Sequence, residues 1–501
     1  LHHPTALHVR NVLGNFLEPR LLLIAFLVAL SSMAVVPGYA LAADLYLVDE
    51  KEIYVALDKL NAMGVLPGFL ANTRPYDMRA VRTALDNTSW AAFVDSQSGA
   101  SLARWVDFYT KDAALVRGTA SVSYSDQRTI EDVSGGNVIP EGFSAGISAF
   151  GRYEPFPWLS ANAKEVMYFG EGGENRSRLG ESSVEFGHKY VSLQAGKITT
   201  WYGPGRRGSL IYTNNAEPYP GVRFHNPVPI PIPGIFSFLG SVQYDLFFAQ
   251  LDKDRPVPNS MLSGVRLAAR PNGYLEVGLS RAIHYGGEGQ SNGFSAWWQA
   301  MRGAQDTETA GTNQLGGFDV EVTLPFRVQP FQLYLEMAGE DESGRHVPVP
   351  SKWAYLGGVF FPAILGNPDF DLRLEYADNH RGGNGPWWYT HPNYPHEYKG
   401  QVLGHPMGTD ARDFWLQGRW LFLPSTYLEL AWNRTDRYSI GPSTETTDRF
   451  ELAFLGWFTR SLRARAGIQT SRVSNPGGVP DGSRNEFLSW LDLAWQLSGG
   501  K

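Results

Sequence analysis

From about residue 115 almost to the end of the chain, hydrophobic and polar residues alternate with a period of two. In the stretch FDVEVTL, Phe318, Val320 and Val322 alternate with Asp319 and Glu321. Because successive side chains of a strand point to opposite faces, this period predicts strands with one apolar and one ionic face. The pattern recurs in FQLYLEMAG (331–339), FDLRLEYAD (370–378), TYLELAWN (426–433) and SLRARAGIQT (461–470).

Three features favour a membrane barrel over a soluble sandwich, which alternates in the same way. Many segments reach about ten residues, the length that a tilted strand needs to cross a bilayer. Many begin or end with aromatic residues, which suits girdles at the two membrane interfaces. Short connections alternate with long ones, and we assign the long stretches 285–313 and 379–411 to external loops. A lipid-exposed strand edge would leave backbone groups unpaired, so the sheet must close.

The number of strands follows from a count of these segments. About 17 segments qualify, and single-chain bacterial barrels have an even number of strands. We therefore predict an all-β transmembrane barrel of the outer-membrane type over residues 114–501, with 18 antiparallel strands, or 16 as the alternative. Residues 43–113 have a helical period instead, with Ile53, Leu57 and Leu60 on one side of the first of three short helices. This region is expected to form a small periplasmic helical cap.

The amino terminus resembles a cleaved leader. Arg10 and Arg20 precede the apolar run LLLIAFLVALSSMAVV, and Ala40 and Ala42 supply the small residues of a cleavage site. We interpret residues 1–42 as a secretory signal peptide, since a membrane-anchoring helix needs about 20 apolar residues. The chain has no cysteine, which excludes disulfides and thiolate metal sites. Its net charge of -7 is unclustered, so no nucleic-acid partner is expected.

One segment interrupts the predicted strands. Residues 199–240 contain a G-x-G-x-x-G at Gly203, Gly205 and Gly208, but no helix pattern follows to bind a phosphate. We reject a nucleotide site and expect the segment to fold into the lumen or to cap a mouth, because backbone without strand partners cannot face lipid. The residues expected to occlude the pore or to hold this segment are Trp201, Tyr202, Gly203, Pro204, Gly205, Arg207, Asn214, Asn215, Pro220, Arg223 and Arg281.

The same segment carries a resemblance to a known family. WYGPG (201–205), the following Ser-Leu and Asn-Asn pairs, and PYPGVR (218–223) are similar to the Wzi family of outer-membrane capsule-assembly proteins. The resemblance continues through 247–281, through QLGGFDVEV, YLEMAGEDE and YLGGVFFP, and includes the helical stretch ALDKLNAMGVLPG. It implies an 18-stranded barrel whose external face binds capsular or related polysaccharide and helps to organise it on the cell.

The long loop 379–411 offers groups that suit sugar recognition. Aromatic faces pack on a pyranose, and amides and guanidinium groups pair with its hydroxyls. The candidates are Trp387, Trp388, Tyr389, Tyr394, Tyr398, Asn384 and Arg381. The alternative is that this loop uses its aromatics for its own packing or for the interfacial girdle. His391, His396 and His405 lack compact metal-ligand spacing, so we predict no metal site and no cofactor there.

Charged residues on the inner face admit two interpretations, bracing of neighbouring strands or contact with a ligand. They include Arg266, Arg270, Asp319, Glu321, Arg373, Glu375, Arg463 and Arg465. No Ser/His/Asp arrangement is recognisable, so no enzyme is predicted. The leading hypothesis is a lectin-like barrel, with a porin-like diffusion channel or a sleeve for another component as alternatives. The expected partners are extracellular polysaccharide, outer-membrane lipid and, as an open alternative, export machinery, with the barrel as a monomer.

Overall fold

A computed structural model describes residues 51–86, 88, 97–110, 114–302, 311–342, 350–382 and 386–498. The predicted signal peptide, residues 1–42, lies outside these residues. Within the described ranges, no helix has the length and hydropathy needed to cross a membrane.

The sheet is a closed antiparallel barrel of 18 strands, which confirms the predicted fold class. The first strand pairs with the last, from Leu115 opposite Ser498 to Ser125 opposite Leu488. The strands are β1 (Ala114–Ser125), β2 (Gly142–Phe156), β3 (Leu159–Gly170), β4 (in two pieces, Asn175–Leu179 and Ser182–His188), β5 (Val191–Ile198), β6 (Tyr219–His225), β7 (Ser241–Gln250), β8 (Met261–Asn272), β9 (Leu275–Tyr285), β10 (Asn313–Leu324), β11 (Phe331–Glu342), β12 (Pro350–Phe361), β13 (Phe370–Asp378), β14 (Ala411–Leu423), β15 (Thr426–Arg437), β16 (Glu445–Trp457), β17 (Leu462–Ser474) and β18 (Ser483–Ser498).

The wall has an apolar outside and a polar inside, as the alternation predicts. On β18, Leu491, Leu493, Trp495 and Leu497 are 40 to 62% exposed on the outer face. Their neighbours point inward, and Gln496 accepts a hydrogen bond from Arg117 of β1 at 2.7 Å. An outer surface of this kind is stable only in lipid, whereas the inner face can hold charged groups.

The two ends of the barrel differ in their connections. At one end the strands are joined by short turns, such as 157–158, 273–274 and 424–425. At the other end lie the long stretches 286–312 and 379–410. The first of these contains the helix Phe294–Met301, whose Trp297 and Ala300 pack on apolar residues of the wall. The predicted orientation puts the long-loop end outside the cell, and the loops at this end are called external for that reason.

Among the described residues, three helices lie at the short-turn end: α1 (Lys51–Ala62), α2 (Met78–Asp86) and α3 (Gln97–Thr110). Leu60 of α1 and Trp105 of α3 are fully buried. They share one hydrophobic cluster with wall residues at the short-turn ends of three strands, Leu421, Tyr427, Leu455 and Trp457. We call residues 51–86 and 97–110 the helical cap.

The segment 199–240 is only partly irregular, which differs from the expectation. Residues 219–225 form β6, which pairs with β5 along its whole length and with β7. The irregular part therefore consists of 199–218 and, at the short-turn end, 226–240. The prolines misled the prediction because Pro220 is only the second residue of its strand, where a missing N–H is tolerated.

Candidate functional site

A hydrophobic core fills part of the lumen. Residues 199–218, the inward segment, contribute Leu210, Ile211 and Tyr212 to this core, and the wall contributes residues such as Tyr334 and Leu356. The third contribution comes from the external loop, whose residues 386–410 fold into the barrel. The loop residues of the core are Trp388, Tyr389, Tyr398, Leu403 and Met407. We call the inward segment and residues 386–410 together the lumen plug.

The glycines of the inward segment allow close packing rather than phosphate binding. Gly203 has φ 130°, a conformation that favours glycine, and its N–H donates to the Asn72 carbonyl of the cap at 2.9 Å. A Cβ on Gly208 would lie 2.2 Å from the ring of His405. A Cβ on Gly205 would lie 2.0 Å from the Gly208 carbonyl oxygen. The glycine triad is therefore the point where cap, inward segment and external loop meet.

Two arginines of the inward segment join it to the cap and to the wall. Arg206 donates to Asp58 of α1 at 2.6 and 3.1 Å. The backbone N–H groups of Arg206 and Arg207 donate to the two oxygens of Glu375 at 2.7 and 2.9 Å. Arg207 also donates to Asp132 at 2.8 Å. Burial alone would raise the pKa of Asp58, but the neighbouring guanidinium groups of Arg206, Arg74 and Arg373 hold this pKa well below its usual range.

The amide pair Asn214 and Asn215 connects the inward segment to two external loops. The N–H groups of Gly135 and Gly136 donate to the carbonyls of Asn214 and Asn215 at 2.6 and 3.0 Å. The side chain of Asn215 accepts from the Val133 N–H at 3.2 Å and donates to the Val402 carbonyl at 3.1 Å. One residue thus joins the loop between β1 and β2 to the loop between β13 and β14.

The remaining predicted plug residues lie in several places. Trp201 and Tyr202 are buried in the lumen, and the carbonyl of Pro204 accepts a hydrogen bond from Arg206. Pro220 and Arg223 belong to β6, and Arg223 points inward to Asp245 at 3.3 Å.

Arg281 differs from the expectation that it orients the inward segment. Its neighbour on β9, Ser280, accepts a hydrogen bond in the lumen from Arg266 at 2.7 Å, so Arg281 faces outward. There Arg281 donates to Gln314 and to the Ala300 carbonyl of the external helix. The residue therefore holds the helix Phe294–Met301 against the outside of the barrel.

The predicted sugar-binding residues divide into a buried group and an exposed group. Trp388, Tyr389, Tyr394 and Tyr398 are at most 4% exposed, so their rings serve packing in this conformation. Their polar atoms are also used: the Tyr389 hydroxyl donates to the Leu210 carbonyl at 2.6 Å and accepts from the His405 N–H at 3.1 Å.

Two of the candidates remain accessible. Trp387 is 42% exposed, with the Lys352 ammonium 4.7 Å from its ring centroid. Arg381 is exposed as well, whereas Asn384 lies outside the described residues.

The loop histidines serve the plug. The Nε2 of His396 donates to the Ile211 carbonyl at 2.7 Å, and its Nδ1 lies 2.8 Å from the Nε2 of His284 on the wall. Burial lowers the pKa of His396 and that of His405 to about 4. Both rings are therefore neutral at pH 7, and they hold the loop in place as hydrogen-bonding groups.

The charged residues of the inner face connect strands that are not adjacent and also bind the helical cap. Arg266 and Asp319 form a bidentate pair, 2.6 and 3.0 Å, between β8 and β10. Other charges reach the helical cap: Asp371 binds Lys59 at 3.0 Å, and Arg463 binds Glu52 at 2.7 Å.

Sequence reasoning missed a further role of the inward carboxylates. Glu336 accepts the N–H of Leu210 at 3.0 Å, and Glu340 accepts the N–H of Tyr389 at 2.7 Å. The alternation of β11 indicates that both carboxylates point inward, but not which backbone groups they meet.

A cavity of ≈ 520 Å³ remains beside the plug, and its volume is within the range of ligand pockets. Residues of the cap, the inward segment, the loop 126–141 and the wall around β1 line it. Its lining includes Lys51, Arg465, Glu451 and Asp492 together with the rings of Tyr168 and Trp490.

The fold and sequence match known proteins. The solved structure of Wzi, an outer-membrane protein involved in group 1 capsule assembly in Escherichia coli and described as a carbohydrate-binding β-barrel, is 20% identical. It superposes with a TM-score of 0.72 over 91% of this chain and 100% of its own. The outer-membrane protein OprD from Pseudomonas aeruginosa is 11% identical, with a TM-score of 0.46 over 77% of this chain and 94% of its own.

A curated relative and a family profile complete the comparison. The "uncharacterized 55.8 kDa protein in cps region" of Klebsiella pneumoniae is 34% identical over 200 residues, which are 38% of this chain and 39% of that protein. The closed barrel with its apolar outer wall places the chain in the outer membrane. The profile of the family described as capsule assembly protein Wzi matches residues 94–486, so the chain belongs to the Wzi family of capsule assembly proteins.

Proposed function

We propose that this barrel binds extracellular polysaccharide at its long-loop end and retains it on the cell surface, without catalysis. The proposal is supported by membership of a capsule-assembly family and by the description of the Escherichia coli relative as a carbohydrate-binding barrel. The observation that carries it is the lumen plug, in which an external loop and the inward segment share one hydrophobic core with the wall. A lumen filled in this way suits a binding surface better than a channel.

Trp387 and Arg381 are the proposed contact residues. Both are exposed in the loop between β13 and β14, and together they combine an aromatic ring with a guanidinium group. We include Asn384 because it lies between them in the sequence. The buried aromatics of the same loop act indirectly, because they fix the backbone from which Trp387 projects.

A porin-like channel is the competing function. It requires a continuous aqueous path, whereas the inward segment, the external loop and the helical cap all occupy the lumen. Planar-bilayer recordings on the purified barrel are therefore expected to show no stable conductance steps, and steady open-channel currents would favour the channel.

Several partners follow from the proposed function. Outer-membrane lipid surrounds the apolar wall, and polysaccharide export machinery is a partner of the short-turn side. We also propose that residues 1–42 are a cleaved signal peptide, that the helical cap lies in the periplasm and that the barrel works as a monomer.

The test is binding of purified bacterial polysaccharides to the full-length barrel in detergent. Trp387→Ala and Arg381→Ala are each expected to weaken binding about tenfold, the effect of losing about 1.4 kcal/mol. Trp298→Ala is the matched control, since Trp298 is a 47% exposed tryptophan of the external helix outside the proposed surface. Equal binding by all four proteins would contradict the proposed contact residues, and no binding by the unaltered barrel to any polysaccharide would contradict the function.

A further inference from the structure

Three buried side chains from distant parts of the chain meet at the short-turn end of the lumen. Asp77 immediately precedes α2, Glu185 points inward from β4, and His225 is the last residue of β6. Each side chain is at most 2% exposed. Their ligand-type atoms all lie within 4.8 Å of one another. Within the residues that the structure describes, this is the one group of histidine, aspartate and glutamate with such spacing.

In both acids, one carboxylate oxygen faces the Nε2 of His225. Asp77 caps α2 through Oδ1, which accepts from the N–H groups of Arg79 at 2.8 Å and Ala80 at 3.4 Å. Its Oδ2 is 3.4 Å from the Nε2 of His225. Glu185 Oε1 accepts from the Ser192 hydroxyl and lies 3.2 Å from the same Nε2.

The second oxygen of Glu185 is an independent sign of a missing partner. Glu185 Oε2 is buried and has no hydrogen-bond partner. A buried carboxylate oxygen without a partner is costly, because its desolvation is uncompensated. A cation that Glu185 bound through both of its carboxylate oxygens would satisfy this one.

The distances suit a metal ion as well as they suit hydrogen bonds. Zinc binds imidazole nitrogen and carboxylate oxygen at about 2.1 Å, which at tetrahedral angles separates two ligand atoms by about 3.4 Å. The separations of 3.2 and 3.4 Å from Nε2 match this value. Charge points the same way, because two buried carboxylates beside a neutral imidazole are balanced by one divalent cation, whereas a proton on the imidazole balances only one of them.

We propose that Asp77, Glu185 and His225 bind a divalent transition-metal ion with zinc-like ligand preference. One imidazole and two carboxylates form a ligand set that zinc accepts, and Ser192 supports Glu185 from behind. The ion clamps α2 of the helical cap to two strands of the wall. This site is independent of the proposed polysaccharide surface, which lies at the opposite end of the barrel.

Metal analysis of the untagged full-length barrel tests the proposal. The protein is purified in detergent from zinc-supplied cells, and a second sample is unfolded with a chelator and refolded with Zn²⁺ or Co²⁺. About one bound ion per chain is expected, with visible Co²⁺ absorption bands of low-symmetry nitrogen and oxygen ligation. Addition of a chelator during heating is expected to lower the unfolding temperature.

Two variants and a control separate ligation from folding. Asp77→Asn preserves the oxygen that caps α2 but removes the charge, and His225→Gln removes the nitrogen ligand. Both are expected to reduce the bound metal at least tenfold, whereas His405→Gln, a change of a buried histidine in the lumen plug, keeps it. Absence of stoichiometric metal from both samples of the unaltered barrel would overturn the proposal. Full metal retention by folded Asp77→Asn and His225→Gln would place the ion elsewhere and would also overturn it.

Discussion

The helical cap and the lumen plug both pack apolar side chains against the wall, but the polar contacts that hold them differ. Charged groups dock the cap: Glu52, Asp58 and Lys59 of α1 each pair with a buried partner from the wall or the inward segment. Between the loop 386–410 and the inward segment, the contacts are rings and hydrogen bonds of neutral side chains, with Tyr389 bonded to the Leu210 carbonyl and His396 to the Ile211 carbonyl. The inward segment belongs to both systems, because Arg206 reaches the cap and Leu210 the loop.

The difference predicts which substitutions should destabilise the cap and which should destabilise the plug. A buried ion pair adds little net stability, but removal of one partner leaves an uncompensated charge in a poorly solvated place. A neutral packed plug depends instead on shape and on groups that remain uncharged when buried. The cap should therefore respond most strongly to loss of a charge, and the plug to gain of one.

The largest effect is expected from Asp58→Ala. The substitution removes the carboxylate shared by Arg206, Arg74 and Arg373, at separations of 2.6, 3.2 and 3.8 Å. The loss is expected to lower the free energy of unfolding by about 3–5 kcal/mol. Urea unfolding in detergent, followed by tryptophan fluorescence, measures it. The control Asp448→Ala breaks a more exposed pair with Arg434 at 3.7 Å and should cost less than about 1 kcal/mol, so equal effects would contradict charge docking of the cap.

A smaller effect is expected from Tyr389→Phe in the plug. The change leaves the Leu210 carbonyl and the His405 N–H without their buried partner, at a cost of about 1–3 kcal/mol. Hydrogen exchange is expected to rise in 386–410 and in the inward segment but not in the helical cap. The control Tyr376→Phe removes a hydroxyl from an exposed ring. Faster hydrogen exchange throughout the cap as well would show that the cap and the plug open as one cooperative unit.

A further effect is a response of the plug to mild acid. Burial lowers the pKa of His396 and His405 to about 4 from an ordinary value of 6.5. The unfolded state therefore binds protons first, and the stability contributed by each neutral ring, complete above pH 6.5, falls as the pH drops towards 4. The loss at pH 5 is on the order of 1–2 kcal/mol per histidine.

The cap behaves differently over this range. The pKa of Asp58 is held below its ordinary value of 3.8, so its contribution persists above that pH and declines only in stronger acid. Proteolysis at pH 7.5 and 5 should therefore show increased cleavage within 386–410 alone, and His396→Gln should reduce the increase. Cleavage that rises equally in cap and plug, or in neither, would contradict this assignment.

The barrel itself was predictable from the sequence because the alternation of apolar and polar residues that specifies each strand is a local pattern. Alternation along Phe318 to Val322 assigns each side chain of that strand to lipid or lumen without knowledge of any other strand. The helical cap was predictable for the same reason. The inward segment could be recognised because it lacks both periods, although Pro220 concealed the start of β6.

The contacts of the candidate site could not be predicted, because they join residues far apart in the chain. Tyr389 and Leu210 are separated by 179 positions, and Lys59 and Asp371 by 312. A Trp-Trp-Tyr run is equally consistent with a sugar platform and with a core, and only the lumen around it distinguishes exposed Trp387 from buried Trp388. The cluster of Asp77, Glu185 and His225 has no sequence motif for the same reason.

The tight fit of Gly208 against the ring of His405 has a consequence for engineering chimeras. Grafting the external loop of another family member onto this barrel would replace residues 386–410 but not the inward segment that packs against them. A donor loop with a larger group at position 405, or with a backbone path that moves the carbonyl at position 402 away from the Asn215 amide, would not pack against the inward segment. Residues 203–216 must therefore be transplanted together with 386–410 for a new surface specificity to be installed.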